Sequence, residues 1–434
     1  MKEAIIKSQV ERKKNISRWN FTMGVLHGTF FTGGRALANP DTIFPVFLSN
    51  FTVSKVVIGL FSSLMGSLGN IVSALPQMVV ANRLESKIHK IPVLRFAVAI
   101  RALCWFFLSL TTYLFALPHP KLTLYLIFFL LFIFTFMGGI ATIPFMDIWG
   151  KSLPSTLRGR FFGYRQFWGG IFAIGTGSLA AAILSNKEIL FPKNFALLFL
   201  FAFILISISY LALGSVKEPV EEVYKKRLPF REFLSKAFAI LKSDSNYRRF
   251  LYVQVLGGAG ALALPFYILY AKDILKIKLG MVGILLLAQM VGSVLSNLIW
   301  GYLADFAGSK KVIQISTLVG FIAPLVASGI SASQPKMFLI LLFLLTGFFI
   351  TGRKIGKSKF LLDIAPAKKR PTYISVSGSL TIIVASFPLI GGLVLQNISY
   401  GFLFMLTFVI VLIGFMLSLK LQESGATANE KIIP

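Results

Sequence analysis

The chain has 434 residues, of which 56% are hydrophobic and 14% are charged, and its formal net charge is +28. Soluble globular proteins carry about a quarter charged residues, so this composition excludes a soluble globular domain. The basic residues fall in clusters between apolar runs, which argues against a nucleic-acid surface. With one cysteine, Cys104, the chain forms neither an internal disulfide nor a thiolate metal site.

The apolar runs are close to the roughly 20 residues that a transmembrane helix requires. They show little period-two alternation, which excludes a membrane β-barrel. The sequence therefore predicts an all-α membrane protein with twelve transmembrane helices. In chain order, the predicted spans 1 to 12 are Trp19–Phe44, Val56–Val80, Pro92–Phe115, Leu122–Trp149, Phe161–Leu184, Phe195–Val216, Phe250–Tyr270, Met281–Leu303, Val312–Ser331, Met337–Thr351, Tyr373–Leu395 and Tyr400–Leu419.

Orientation follows from the positive charges, because cytoplasmic loops carry an excess of Lys and Arg. If the N-terminus is inside, the inside segments hold about 32 of the 44 basic residues and the outside loops about 8. The stretch before span 1 is too polar for a secretory signal. We therefore expect a multi-pass protein of the plasma (cell inner) membrane with both termini in the cytoplasm.

Weak self-similarity divides the spans six and six, with the same helix order in each half, which is typical of a parallel repeat. Leu64, Gly69, Ser73, Ala81 and Lys87 recur at the same spacing as Leu287, Gly292, Ser296, Ala304 and Lys310. The predicted organisation is a cytoplasmic N-terminal segment (1–18), an N-terminal six-helix bundle (19–216), a cytoplasmic linker (217–249), a C-terminal six-helix bundle (250–420) and a cytoplasmic tail (421–434).

Charged residues inside apolar spans are candidates for a solute pathway, because a charge at membrane depth needs a partner or a wet cavity. Arg35 lies about 24 Å into span 1 at 1.5 Å per residue, and Arg101 lies near the middle of span 3. The alternatives are a substrate-facing cation and a structural ion pair. Arg95 and Arg165 lie near cytoplasmic ends and are expected to snorkel.

Polar residues on span 1 recur at seven-residue spacing and therefore share one helix face. They are Asn20, His27, Gly34 and Asp41. The face either lines a cavity or forms the packing seam of helix 1. Asp41 and His27 are the reasonable titrating candidates if transport is coupled to protons, because no carboxylate lies mid-span.

In the second half, Gln254 and Tyr267 in span 7 are further cavity candidates, and so are three residues of span 8 that lie four apart. These are Gln289, Ser293 and Asn297. They either hydrogen-bond a solute or join neighbouring helices, since polar residues are common at helix interfaces in membranes.

The stretch GYLADFAGSKKV at Gly301–Val312, between spans 8 and 9, resembles a motif of the major facilitator superfamily. In that family the loop acts as a cytoplasmic latch between alternating states. Glycine at its turn allows a tight loop, and its aspartate suits a helix N-terminus. The latch residues implied are Gly301, Asp305, Gly308, Lys310 and Lys311. The equivalent loop of the first half, ANRLESKIHK, has Asn82 in place of the aspartate, so the two halves are predicted to close differently.

Two basic loops, PSTLRGRFFGYRQ at Pro154–Gln166 and AKKRPTY at Ala367–Tyr373, are similar to loops of the same family. The FPLIGG stretch, Phe387–Gly392, places a proline before a glycine pair and permits bending and close packing. The resemblance implies two bundles around one site near the membrane midplane, lined by helices 1, 4, 7 and 10. It also implies alternating access by rocking of the bundles.

No enzyme constellation, metal cluster or phosphate-binding loop is evident, so we expect neither enzymatic activity nor a cofactor. The leading interpretation is a secondary transporter of a small organic solute, with Arg35 and Arg101 favouring an anion. Export of hydrophobic drugs is the alternative within transport, and a membrane sensor or scaffold on a transporter fold is the alternative from another class. The expected partners are a small-molecule substrate, a coupling ion (proton or sodium) and the lipid bilayer. We expect a monomer and no nucleic-acid partner.

Overall fold

A computed structural model of the chain describes residues 2–65, 72, 89–152, 155–218, 240–330, 336–366, 373, 376–378 and 380–422, almost all of them helical. Helices 1 to 6 are Lys2–Ala36, Lys55–Met65, Ile91–Phe115, Pro120–Ser152, Ser155–Ser185 and Lys193–Gly214, with a short helix Ile43–Leu48 after helix 1. Helix 7 is Ser245–Gly258 continued by Leu264–Asp273. Helices 8 to 12 are Leu279–Phe306, Gly308–Gly329, Met337–Ile364, Thr381–Asn397 and Tyr400–Leu419.

In the described part of the chain, ten helices are long and apolar enough to cross a membrane, namely helices 3 to 12. Helix 1 begins in a charged segment, and helix 2 is an apolar helix of eleven described residues. Together they agree with the twelve predicted spans. The prediction of an all-α multi-pass membrane protein is confirmed.

Several predicted boundaries differ from the observed helix ends, and two of these differences are described here. Span 1 was predicted to run to Phe44, but helix 1 ends at Ala36 and a separate buried helix follows it. Span 10 was predicted to end at Thr351, yet helix 10 continues to Ile364 through the basic run that begins at Arg353. The extension is physically reasonable because Lys and Arg are strong helix formers.

Helix 7 is interrupted by a 3₁₀ turn, Ala259–Leu262, in the middle of the predicted span. The turn follows the glycine pair Gly257 and Gly258, which favours a change of backbone geometry, and precedes Pro265. Because proline has no backbone N–H, it suits the first turn of the helical segment that resumes there.

The chain forms two compact units. Unit 1 comprises Met1–Phe51, Leu64–Lys225 and Leu279–Gly283. In it, helix 1 packs against helices 5 and 6, and helix 3 packs against helices 4 and 6. Inside a bilayer the hydrophobic effect does not drive helices together. Helix association there depends on close backbone packing and on polar contacts. The Ser109 hydroxyl of helix 3, for example, donates to the Ala196 carbonyl of helix 6 over 2.7 Å.

Unit 2 comprises Thr52–Ser63, Lys226–Lys278 and Ile284–Pro434. Helix 9 packs against helices 10 and 12, and helix 7 packs against helices 11 and 12. The glycine pair that was predicted to allow close packing, Gly391 and Gly392, packs directly against the backbone of two other segments. A Cβ at Gly391 would overlap the Leu262 carbonyl oxygen, and a Cβ at Gly392 would overlap that of Lys55.

Carboxylates stabilise the starts of two helices. Asp244 accepts a hydrogen bond from the Tyr247 backbone N–H at the start of helix 7, over 2.8 Å. Its other oxygen accepts from the Tyr373 hydroxyl over 2.7 Å. In unit 1, Glu218 accepts from the N–H groups of Lys90 and Ile91 at the start of helix 3. A negative charge at this position compensates the unpaired N–H groups and the helix dipole.

Candidate functional site

The Arg101 guanidinium in unit 1 lies among aromatic rings. Its Cζ atom is 4.2 Å from the Phe134 ring centroid, 5.6 Å from that of Tyr210 and 5.9 Å from that of Phe31. Gly138 lies beside the guanidinium, where a Cβ would be in ordinary van der Waals contact with Cζ at 3.4 Å. Its Nε is buried and has no hydrogen-bond partner among the residues described. Ring faces attract a cation, but they do not neutralise it.

Next to Arg101 is a polar cluster on helices 1 and 6. His27 is buried, and its Nδ1 lies 2.6 Å from the Ser209 hydroxyl, which itself donates to the His27 carbonyl over 2.8 Å. The His27 ring stacks on Tyr210 at 6.1 Å between centroids. The Tyr210 hydroxyl is buried and has no partner within the described part of the chain. It is therefore a free hydrogen-bonding group close to a cation.

Arg35 is the second cation of this region, and the charges of Arg101 and Asp41 both act on it. Its Nη2 donates to the Met65 carbonyl over 3.4 Å. Among the residues described, the single ion pair within 4 Å joins Lys55 to Asp273, so neither Arg35 nor Arg101 has a carboxylate in direct contact there. The interpretation of Arg101 as half of a structural ion pair is thus not supported among these residues.

Arg165 was expected to snorkel toward the end of its helix, and its side chain is half-buried in unit 1. The Arg165 guanidinium lies over the Phe145 ring at 5.1 Å, and its aliphatic stem fills the space beside Gly28 on helix 1. Arg165 therefore adds a third positive charge to the interior of unit 1. We call Arg35, Arg101 and Arg165 the arginine cluster.

The polar face of helix 1 forms a packing seam with helix 6, the second of the two alternatives. Both polar groups of the Asn20 side chain pair with the Lys217 backbone, over 2.7 and 2.9 Å. Gly34 packs against Ile206, where a Cβ would be 2.7 Å from Cγ1. Asn20 therefore has a structural contact, whereas His27 joins the seam to the arginine cluster.

In unit 2, Gln254 hydrogen-bonds helix 11. Its Nε2 donates to the Ser377 carbonyl over 3.1 Å, and its Oε1 accepts from the Ser377 hydroxyl over 2.7 Å. The backbone carbonyl of Gln254 accepts from Arg353 Nη2 over 3.1 Å. Arg353 is a candidate that the sequence interpretation missed, because span 10 was ended before it. The signal was present in its position directly after the apolar run, in a stretch rich in the helix formers Lys and Arg.

The remaining candidates of unit 2 join helices to one another. Gln289 donates to the Thr346 hydroxyl over 3.3 Å, and the Ser293 hydroxyl donates to the Gly347 carbonyl over 3.3 Å. The Asn297 amide donates to the Ser293 carbonyl of its own helix over 3.0 Å. Tyr267 is buried, with its ring 5.3 Å from that of Phe404. These contacts favour a structural role for the four residues.

The predicted latch is only partly described. Gly308 has φ of 85°, a conformation that favours glycine, so the tight turn there is confirmed. Among the described residues, no atom lies within 4 Å of a Cβ added at Gly301, so no close helix approach is seen there. Lys311 is exposed and Lys310 is half-buried. The Asp305 side chain, Asn82, most of the Pro154–Gln166 loop and Ala367–Arg370 lie outside the described side chains.

The chain is similar to known proteins both in part of its sequence and in its fold. The sequence model of the Major Facilitator Superfamily matches residues 249–432. No curated protein sequence matches the chain significantly. Among solved structures, the nucleoside transporter NupG (D323A mutant) has a TM-score of 0.66 at 15% identity, covering 94% of this chain and 100% of its own.

Two further structures are similar over nearly the whole chain. A bacterial homologue of the human lysosomal transporter Spinster, inward-facing and occupied, has a TM-score of 0.64 at 12% identity and covers 95% of this chain and 99% of its own. A human organic anion transporter has a TM-score of 0.62 at 15% identity and covers 93% and 99%. The second half of the chain thus matches the family model, and the fold of the whole chain is similar to that of these solved transporter structures.

Proposed function

We propose that the protein is a secondary active transporter of a small organic anion that works by alternating access. The observation that supports this is the arginine cluster. Three guanidinium groups lie within unit 1, and none has a carboxylate within 4 Å among the described residues. A charge inside a membrane segment is costly unless a partner or a wet cavity compensates it.

An anionic solute would supply that compensation. A guanidinium offers planar, paired donors that match a carboxylate or phosphate. The unpartnered Nε of Arg101 and the unpartnered Tyr210 hydroxyl provide donors in the same cluster. Aromatic rings around Arg101 lower the local dielectric and strengthen the attraction of a bound anion. In this proposal Arg101 binds the anionic group, and Arg35 and His27 support it.

The remaining expectations complete the proposal. Both termini lie in the cytoplasm of a cell with the protein in its plasma (inner) membrane, and the Gly301–Lys311 loop stabilises the state closed toward the cytoplasm. A proton or sodium ion couples transport, with Asp41 and His27 as the candidates for a proton. The predicted two-bundle division at residues 217–249 belongs to the same proposal, and so does the monomeric state.

Arg101→Gln tests the proposal in proteoliposomes supplied with a panel of organic anions, neutral sugars, nucleosides and cations. We expect the wild type to transport an anion, and Arg101→Gln to reduce its transport efficiency about ten- to hundredfold, as expected for a charged hydrogen bond worth 1.5–3 kcal/mol. Arg101→Lys should retain part of the activity. Arg95→Gln is the control, because Arg95 is an exposed arginine on the same helix.

Transport confined to neutral or cationic solutes, or anion transport unchanged in Arg101→Gln, would contradict the proposal. Transport of none of the panel, together with no ligand-dependent change in cysteine accessibility from either side, would favour the sensor or scaffold alternative.

Drug efflux is the second candidate, and one feature favours it. An apolar groove of about 450 Å³ runs along unit 1 between helices 1 and 5. Its lining is mostly aromatic and aliphatic and includes Phe21, Phe30, Tyr164 and Trp168. A growth test with toxic hydrophobic compounds, in cells with and without the protein, separates the two. Resistance that is lost in Trp168→Ala but kept in Arg101→Gln would favour efflux.

A further inference from the structure

A second surface groove of unit 1 lies between helices 3 and 6 and has a volume of about 370 Å³. Both helices are long and apolar enough to cross a membrane. Most of the lining is aliphatic or aromatic, and the lining residues Phe106, Leu110 and Leu200 are exposed. Exposed side chains on membrane-spanning helices face the hydrocarbon of the bilayer. Lipid chains therefore have direct access to this groove, which we call the helix 3–6 groove.

One end of the helix 3–6 groove is polar. The two helices are antiparallel, because the start of each bonds to the end of the other. The Ser109 hydroxyl, near the end of helix 3, donates to the Ala196 carbonyl, near the start of helix 6. Tyr113 comes four residues later in helix 3, and Lys193 three residues earlier in helix 6. At 1.5 Å per residue, the tyrosine and the lysine therefore lie at one level, about 5 Å beyond this bond.

The two polar groups at this end have no partner among the residues that the structure describes. Neither the Lys193 ammonium nor the Tyr113 hydroxyl forms a hydrogen bond or an ion pair there, and no acidic side chain is part of the described lining. Lys193 is also the first residue of helix 6, where the helix dipole adds partial positive charge. Lysine and tyrosine are common anchors at the level of lipid headgroups. The polar end therefore attracts an anion, whereas the rest of the groove accepts an apolar chain.

We propose that the helix 3–6 groove binds an anionic phospholipid of the surrounding bilayer. The Lys193 ammonium holds the lipid phosphate by a charge-assisted hydrogen bond, and the Tyr113 hydroxyl donates a second one. One acyl chain lies against Phe106, Leu110 and Leu200, over the roughly 10 Å that helix 6 rises across the groove. A zwitterionic lipid carries its own cation beside the phosphate, which weakens its attraction to the lysine. This site does not depend on anion transport through the arginine cluster.

The test is site-resolved photolabelling of the purified full-length protein in nanodiscs of phosphatidylcholine. The nanodiscs contain a small fraction of phosphatidylglycerol whose acyl chain carries a photoactivatable diazirine, and peptide mass spectrometry locates the label. We expect label on the groove segments of helices 3 and 6, within residues 106–113 and 189–200. Unlabelled phosphatidylglycerol in excess should remove this label. Phosphatidylcholine with the same photoactivatable chain should label these segments several-fold less.

Lys193→Gln removes the charge at the polar end and should reduce the labelling of both segments by phosphatidylglycerol about fivefold, the effect of one lysine near a membrane surface. Lys193→Arg keeps the charge and should keep most of the labelling. Lys187→Gln is the control, because Lys187 is an exposed lysine in the loop before helix 6 and is not part of the lining. Equal losses in Lys193→Gln and Lys187→Gln would reveal only a general effect of basic charge and would overturn the proposal.

Leu197→Trp tests the apolar part, because the larger side chain fills the space of the acyl chain. It should reduce the labelling of both segments by phosphatidylglycerol. Leu211→Trp is the matched control, since Leu211 is 74% exposed on the same helix and lies beyond the groove. Undiminished labelling in either Lys193→Gln or Leu197→Trp overturns the proposal. Equal labelling of the wild type by the two lipids also overturns it, because unselected bilayer lipid would then fill the groove.

Discussion

Replacing Gly392 by leucine is expected to remove most of the folded protein from membrane extracts. A Cβ at Gly392 would overlap the Lys55 carbonyl oxygen, and a Cβ at Gly59 would overlap that of Pro388. Two segments of unit 2 therefore touch backbone to backbone at both positions. Backbone atoms have no rotamers through which to retreat, so the segments must separate. Overpacking a tight site costs about 1–3 kcal/mol or more, a large part of typical protein stability.

Size-exclusion chromatography of detergent extracts measures the amount of folded protein, and the wild type should give a single symmetric peak. Gly401→Leu is the control, because within the described part of the chain no atom lies within 4 Å of a Cβ added at Gly401, at the start of helix 12. We expect Gly401→Leu to give wild-type yield. Equal yields for the Gly392 and Gly401 variants would show that the close approach contributes little.

Reversing the charge of Lys55 is the second change with a large expected effect. The Lys55 ammonium pairs with the Asp273 carboxylate at 2.5 Å, and the Tyr400 hydroxyl donates to the same oxygen over 2.8 Å. The side chains are 20% and 31% exposed, so solvent screens the pair only in part. Exposed pairs contribute about 0.2–1 kcal/mol, and breaking a buried one costs about 3–5 kcal/mol. We expect Lys55→Glu to lower the free energy of unfolding by about 2 kcal/mol, between these limits.

A double-mutant cycle isolates the pair itself. Lys55→Glu and Asp273→Lys should each destabilise the protein in guanidinium or thermal unfolding, and the double variant should recover a substantial part of the loss. Lys278→Glu reverses an exposed charge near the same helix end and should change stability little. Simple addition of the two single effects in the double variant would exclude an energetic coupling between Lys55 and Asp273.

Hydrophobic length was enough to predict most of the helices. Span 12 coincides with helix 12, and span 3 differs from helix 3 by one residue at its start. Such runs are bounded by polar residues, so composition alone marks their ends. Hydropathy failed at helix 10, where Arg353 contacts the Gln254 carbonyl inside unit 2 and the helix continues past the apolar run. The end of an apolar run and the end of a helix therefore have different physical causes.

The candidate site was predictable only as single residues. The depth of Arg101 in its span marked it as unusual, but its aromatic partners Phe134 and Tyr210 lie on other helices. Spacing along helix 1 correctly grouped Asn20 with His27 on one face. It could not say that helix 6 covers that face, because periodicity identifies a face and not the neighbour that packs against it.

The two units do not coincide with the two halves of the chain, and this matters if the chain is divided in the middle. Residues 52–63 are encoded in the first half of the gene but belong to unit 2, and residues 279–283 are encoded in the second half but belong to unit 1. The second half synthesised alone would lack the segment that packs on Gly392, and the first half would lack the segment whose Gly283 packs on Ala181. Split halves should therefore accumulate only when coexpressed, as mutually dependent fragments, even though the polypeptide reads as a simple tandem duplication.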